Sequence, residues 1–280
     1  MHISKKQKYI LAGIILVEII IGIFFIKIDM SAIAEPPAKL KHIFGFAIPM
    51  NGINISTILN TWLIMVILIL SSWKITRHLT PVPSRLQVIA EQYVSAFDKL
   101  CEEVLGSGKG RKYMPMVSTL FIFILVANSI GAIPSFWHIF SGFPSWLKFD
   151  EPTKDLNTTL GFGLLCFLVA HISGIYYKGF KKYLSEYFEP MIEIGRLRIP
   201  NLFMGMLNIV GEFGKTISHS FRLFGNMLGS AIIILVISNL TKYIVMPVFL
   251  NAFFGLFIGA IQAFVFAMLA LVYVSVMINE

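Results

Sequence analysis

The chain has 280 residues, 56% of them hydrophobic and only 14% charged, with a mean hydropathy of +0.78. A soluble globular domain carries nearly twice that share of charge, so the composition excludes one and indicates an integral membrane protein. The formal charge of +8 does not argue for nucleic acid, because the basic residues sit in short clusters beside apolar segments, as membrane topology would place them.

The chain opens with "MHISKKQKYILAGIILVEIIIGIFFIKIDMSAIAEPP", where an apolar run from Tyr9 to Ile26 follows a basic start and precedes Ala32-Ile33-Ala34. Two readings stand: a retained helix, or a cleaved signal peptide, for which the run is long. Residues 1–54 form a separate N-terminal stretch ending in an external loop on either reading. Apolar segments then run from Ile55 to Trp73, Met114 to Phe136 and Thr159 to Tyr177, each suited to one bilayer crossing of about 20 residues. The last two, Leu202 to Leu240 and Tyr243 to Met277, are too long for one upright crossing and must tilt, bend or leave the bilayer. They read as one slanted hairpin over 201–280, turning near "TKYIVMP", where Pro247 marks the bend.

Between the second and third segments, "PSRLQVIAEQYVSAFDKLCEEVLG" puts Leu86, Ile89, Tyr93, Phe97, Leu100 and Val104 at helical spacing with charges opposite. An amphipathic helix on the cytoplasmic side is expected, its stripe resting on lipid or docking a partner helix. Cys101 falls on its surface and Cys166 inside an apolar segment; without CxxC or histidine spacing, neither a disulfide nor a zinc site is expected. Lys74, Arg77, Arg85, Lys99, Lys109, Arg111 and Lys112 lie in this loop, and Lys178, Lys181, Lys182, Arg196 and Arg198 in the loop before Leu202. Both loops are expected in the cytoplasm, which turns the acidic loop with Asp150, Glu151 and Asp155 outward and returns Glu280 to the cytoplasm. The expected fold class is therefore all-α: a polytopic helical bundle with a steeply tilted C-terminal hairpin and a cytoplasmic amphipathic helix.

Within "SHSFRLFGNMLGSAIIILVISNL" the only charged residue is Arg222. An arginine at membrane depth costs about 2.5 to 3.5 kcal/mol on insertion scales, so it faces a water-filled cavity or an acidic partner. Lys215, Ser218, Arg222, Asn226 and Gly229 recur every three or four residues and share one helical face, with Gly225 and Gly229 forming a GxxxG approach site. In the last segment Asn251, Gly255, Gln262 and Tyr273 share another face. The one carboxylate of these two segments before the terminus is Glu212, ten residues from Arg222 and about 80° off its face, so the arginine's partner is expected on another subunit. Arginine suits that task because it stays protonated while attracting and releasing a carboxylate.

"SFRLFGNM" resembles the signature of the a subunit of F-type ATP synthases, and "IQAFVFAMLALVYVS" is similar to that family's C-terminal motif. "ANSIGAIP" and "PTKDLNTTL" look like its motifs around the third and fourth segments, so the resemblance extends from Ile55 to the end. It implies that 55–280 is the a-subunit membrane domain, a stator part with two offset half-channels that pass protons or sodium ions to carboxylates on a rotating c-subunit ring. Implied partners are that ring, the b-subunit peripheral stalk, the rest of the complex and membrane lipid, in a multi-pass bacterial inner-membrane protein. By position, Arg222 matches the arginine that meets the ring carboxylate, Asn226 its neighbour, and Gln262 the glutamine approaching from the last helix. No cofactor is implied, and without a GxxxxGK[ST] loop the chain has no nucleotide site and is non-catalytic by itself.

Two departures bear on the ion. Ala231 and Gly255 stand where many proton-translocating members carry a carboxylate or histidine, while Ser218, Asn226, Ser230, Asn251 and Gln262 supply neutral polar groups. His219 is either a substitute relay or a hydrogen-bonded packing residue. Glu212 and Lys215 either line the cytoplasmic exit or simply pair with each other. A secondary ion-coupled transporter is the alternative function, but it calls for repeated halves and helices broken at mid-membrane, and neither is plain.

Overall fold

Long aliphatic runs in lipid must satisfy their backbone groups internally, and an unbroken run of such residues does so as a helix. The computed structural model describes residues 39–40, 42–43, 46–47, 53–77, 79–106, 108–130, 151–187, 190–194, 197–200, 202–240 and 246–279. Its helices are α1 (Ile55–Arg77), α2 (Arg85–Leu105), α3 (Gly110–Ser129), α4 (Leu156–Lys178), α5 (Phe180–Tyr187), α6 (Leu202–Leu240), α7 (Met246–Ala252) and α8 (Gly259–Asn279). A six-residue π segment, Phe253–Ile258, joins α7 to α8. Short antiparallel ladders lie outside the bundle, the longest pairing Pro190–Ile194 with Leu197–Pro200. Among the described residues five helices are long and apolar enough to cross a membrane: Ser56–Arg77, Gly110–Ser129, Leu156–Lys178, Gly205–Ile237 and Phe249–Asn279. The N-terminal run Tyr9 to Ile26, the Ala32-Ile33-Ala34 site, the end of the third segment and the turn at 241–245 lie outside the described residues.

Local sequence sets several boundaries. Ser84 caps α2 by accepting from the Gln87 N–H, and Asp155 caps α4 by accepting from the Asn157 N–H at 2.9 Å. Asp155 also accepts from the Thr57 hydroxyl at 3.2 Å, tying α1 to the start of α4. Two acids expected in the outward loop, Glu151 and Asp155, thus have structural work, for Glu151 is buried and pairs with Lys154 at 3.1 Å.

The C-terminal helix α8 is the centre, packed against α3 and α4, with α6 lying across α4 and α2 lying along α3. One buried cluster joins Phe97 and Cys101 of α2, Val117 of α3, Ala170 of α4 and Ala267, Leu271 and Val274 of α8. A second joins Leu120 and Ile124 of α3, Cys166 of α4, Leu223 of α6 and Ala263 and Phe266 of α8. In lipid these contacts gain through close packing rather than escape from water, so shape decides where helices meet. Gly163 is such a place: a Cβ there would stand 2.0 Å from Ser220 Oγ, so only glycine lets α4 and α6 approach this closely.

The amphipathic helix departs from expectation in how it uses its stripe. Tyr93, Phe97 and Val104 pack into the protein's own core, whereas Leu86 and Ile89 remain exposed. Cys101, expected on a surface, is fully buried, because α2 lies along α3 and the cysteine faces that seam. Both cysteines carry free thiols.

Candidate functional site

The contact of α6 with α8 fixes which side of α6 turns outward. The His219 ring lies 3.9 Å from the Phe266 ring, Leu223 is wholly buried beside Ala263 and Phe266, and Ser220 is sealed against Gly163. Residues 219, 220 and 223 therefore face inward, and a helical period of 3.6 turns Ser218 and Arg222 outward. Both are exposed. Among the described residues the Arg222 guanidinium enters no ion pair. A Cβ at Gly211, Gly214, Gly225 or Gly229 would meet nothing within 4 Å, so among the described residues no helix occupies the GxxxG approach site. These four glycines lie within about 60° of one another on α6, with Ser218 and Arg222 among them.

Gln262 is buried on α8, one turn before Phe266, and its Nε2 has no hydrogen-bond partner among the described residues. The same holds for His219 Nε2, so His219 packs on an aromatic ring without the hydrogen bond expected of a packing histidine. Asn226 is half-buried; its backbone carbonyl accepts from the Ser230 hydroxyl at 2.7 Å, which spends Ser230 on its own helix. Asn251 is half-buried on α7. The π segment stands between Asn251 and Gln262, so the face of Asn251, Gly255, Gln262 and Tyr273 does not run as one uninterrupted α-helical stripe.

Asn128 holds that π segment in place. Its side chain is fully buried, donates from Nδ2 to the Gly259 carbonyl at 3.1 Å and accepts at Oδ1 from the Thr153 hydroxyl at 2.7 Å. A Cβ on Gly259 would stand 2.8 Å from Asn128 Cβ, so the two helices meet only because position 259 is bare. Neither Asn128 nor Thr153 was singled out from sequence, although both lie in motifs quoted above.

Ten residues before Arg222 the chemistry changes. Glu212 of α6 pairs with Lys215 at 2.8 Å and also accepts from the Tyr273 hydroxyl of α8, 61 residues away in sequence. Close by, His171 Nδ1 of α4 shares a hydrogen bond of 2.6 Å with the Tyr183 hydroxyl of α5. The His171 ring centre is 6.1 Å from that of Tyr273 and 3.9 Å from that of Phe167. Of the residues expected to matter, Glu212, Lys215 and Tyr273 are thus brought together. His171 and Tyr183 are additions; a lone histidine in the 23-residue apolar helix α4 was the available signal.

Comparison with known proteins places these residues in context. Residues 58–275 match the family model described as ATP synthase A chain. The chain is 34% identical to ATP synthase subunit a of Moorella thermoacetica over 221 residues, covering 79% of this chain and 89% of that one. Identity to the Geobacter sulfurreducens protein of the same description is 35% over 221 residues, covering 79% and 86%. Identity to the Trichlorobacter lovleyi one is 30% over 243 residues, covering 86% and 94%.

Proposed function

The chain belongs to the ATP synthase A chain family, as an a subunit of an F-type ATP synthase that crosses the membrane several times, and from this we propose how its residues work. It conducts the coupling ion, H+ or Na+, through two half-channels that reach the carboxylates of a c-subunit ring, and so couples ion flow to rotation and ATP synthesis. The hairpin over 201–280 faces that ring, and the b-subunit peripheral stalk holds the chain still. The basic loops around α2 and before α6 lie in the cytoplasm by the charge rule.

One observation carries this reading: Arg222 is exposed on the outward face of α6 and pairs with no acid among the described residues of its own chain. A charge left unpaired at membrane depth is tolerated only where another group meets it, and a ring carboxylate is the group this role supplies. The fixed guanidinium then acts in two ways. It repels a cation that would pass straight from one half-channel to the other, and it stabilises each emptied carboxylate as the ring turns past. Asn226 and Gln262 line the approach to that meeting point, Asn251 its outer side, Ser218 and His219 the turn just before it, and Glu212, Lys215 and Tyr273 the cytoplasmic side.

The test replaces Arg222. In membrane vesicles with assembly checked, Arg222→Ala abolishes ion-driven ATP synthesis while the complex stays intact. Arg222→Lys also fails largely, because an ammonium can give up its proton when desolvated. Normal synthesis in an assembled Arg222→Ala complex removes the arginine from this role.

A further inference from the structure

We propose that His171 and Tyr183 extend Tyr273 and Glu212 into a proton-carrying chain at the basic end of the bundle, which makes the proton the coupling ion of this protein. The inference rests on the ion-conducting role above and adds two residues and the ion to it.

Four helices converge here. His171 comes from α4, Tyr183 from α5, Glu212 and Lys215 from α6, and Tyr273 from α8. The end of the bundle is fixed by its charges: α4 finishes in Lys178, which pairs with Glu186 at 2.6 Å, and α8 finishes at Asn279, which accepts from Lys109 at 3.3 Å. Tyr183 Oη and His171 Nδ1 are 2.6 Å apart, and Tyr273 Oη donates to Glu212 Oε2. His171 lies between the two phenols, its ring centre 6.1 Å from each of theirs. The groups facing it are Tyr183 from α5, Tyr273 from α8, and Glu212 and Lys215 from α6, with the Phe167 edge closing its own helix side.

These groups suit a proton and not sodium. A sodium ion must exchange its hydration shell for several oxygens. The Glu212 carboxylate already holds the Lys215 ammonium at 2.8 Å and the Tyr273 hydroxyl, and that resident cation repels a second one. An imidazole needs no such shell. With Nδ1 held by the Tyr183 hydroxyl, the other ring nitrogen takes up a proton and gives it up again, so one proton enters, one leaves and the ring regains its neutral form and its tautomer. Tyr183 fixes the ring's orientation through Nδ1, and a single water can span the step from His171 to the Tyr273–Glu212 pair. An ion that leaves through this end must have crossed the whole path, so the neutral groups beyond Arg222 carry protons along water.

The experiment uses the assembled complex in inside-out membrane vesicles and reads ATP-driven acidification from about pH 5.5 to 9, across the histidine range. In His171→Ala, pumping falls about fivefold or more, unevenly with pH, and free imidazole in the buffer restores it. Tyr183→Phe, which keeps the ring and its packing, falls by about twofold. Pumping at the wild-type level across the range overturns the proposal, as does a uniform loss that imidazole leaves unchanged. If His171→Ala does not assemble, His171→Gln keeps the volume without relaying protons and is read by its pH profile alone: a loss uneven with pH supports the proposal, and a uniform loss or none overturns it. Arg222→Ala in parallel separates the two ideas: an active Arg222→Ala complex sinks the channel role itself, whereas a dead one beside a normal His171→Ala complex sinks only this proposal.

Discussion

The two sides of Arg222 on α6 differ in kind. Toward the helix start, Glu212 and Lys215 are tied to Tyr273, with His171 and Tyr183 beside them, so five titratable groups from four helices share one region. Toward the helix end, among the described residues, α6 carries Asn226, Ser230 and Ala231 and no group that titrates near neutral pH. The first region is held by hydrogen bonds between ionisable side chains, the second by bare positions and close packing, as at Gly259 against Asn128. The proposed conduction path would therefore change its physical basis along its length, from titratable side chains to neutral polar ones.

The contrast can be broken from the titratable side first. Glu212→Gln removes the carboxylate that Lys215 and Tyr273 share, and ATP-driven proton pumping in vesicles should fall on the order of tenfold or more with assembly preserved. Retention of most of the rate would show that this side, too, runs on water alone. On the packed side, Gly259→Ala forces a Cβ into Asn128 and should destabilise the protein by about 1 to 3 kcal/mol, read as a lower melting temperature of the purified complex. Asn128→Ala strands the Thr153 hydroxyl and should cost a similar amount. A smaller change comes from grafting a carboxylate onto the neutral side: Ala231→Glu should alter pumping by about twofold while moving its pH profile, because a titrating group then stands in a path that had none.

The smallest effect belongs to α2, outside the path. Burial, reinforced by the Asp98 charge, pushes the Cys101 thiol up to about 11. The raised value means that the thiolate is scarce at pH 8 and gathers only as pH climbs toward 11, so a maleimide should leave Cys101 unmodified in the native complex. A cysteine at exposed Glu91 should label readily, and from the cytoplasmic side only. Labelling from outside would reverse the orientation of both regions.

Sequence periodicity revealed the crossings because a run such as "TWLIMVILIL" has no other solution in lipid. It also found Arg222, whose charge stands out in an apolar run. It offered Lys215 as a partner of Glu212 but not Tyr273, which lies 61 residues away and is brought there only by the packing of α6 on α8. It misjudged Cys101, because an amphipathic stripe has the same spacing whether it rests on lipid or on the protein's own core. The π segment escaped notice for a similar reason: "FFGLFI" is as apolar as its neighbours, and what distinguishes it is a backbone bond from the Gly259 N–H to the Phe254 carbonyl.

The open glycines of α6 have a mechanical consequence. Helices that interdigitate side chains hold one another in register, because each knob must climb out of its hole before the pair can shift. At Gly211, Gly214, Gly225 and Gly229 there are no knobs, and between them Arg222 projects beside the small Ser218, with Lys215 held by Glu212 toward the helix start. A neighbour moving across such a face would meet a low barrier, with the unpaired Arg222 charge as its electrostatic detent. On the proposed ring-facing role the glycine strip would serve as a bearing surface, and filling it with alanine or leucine would add friction to the motion while leaving the Arg222 charge untouched.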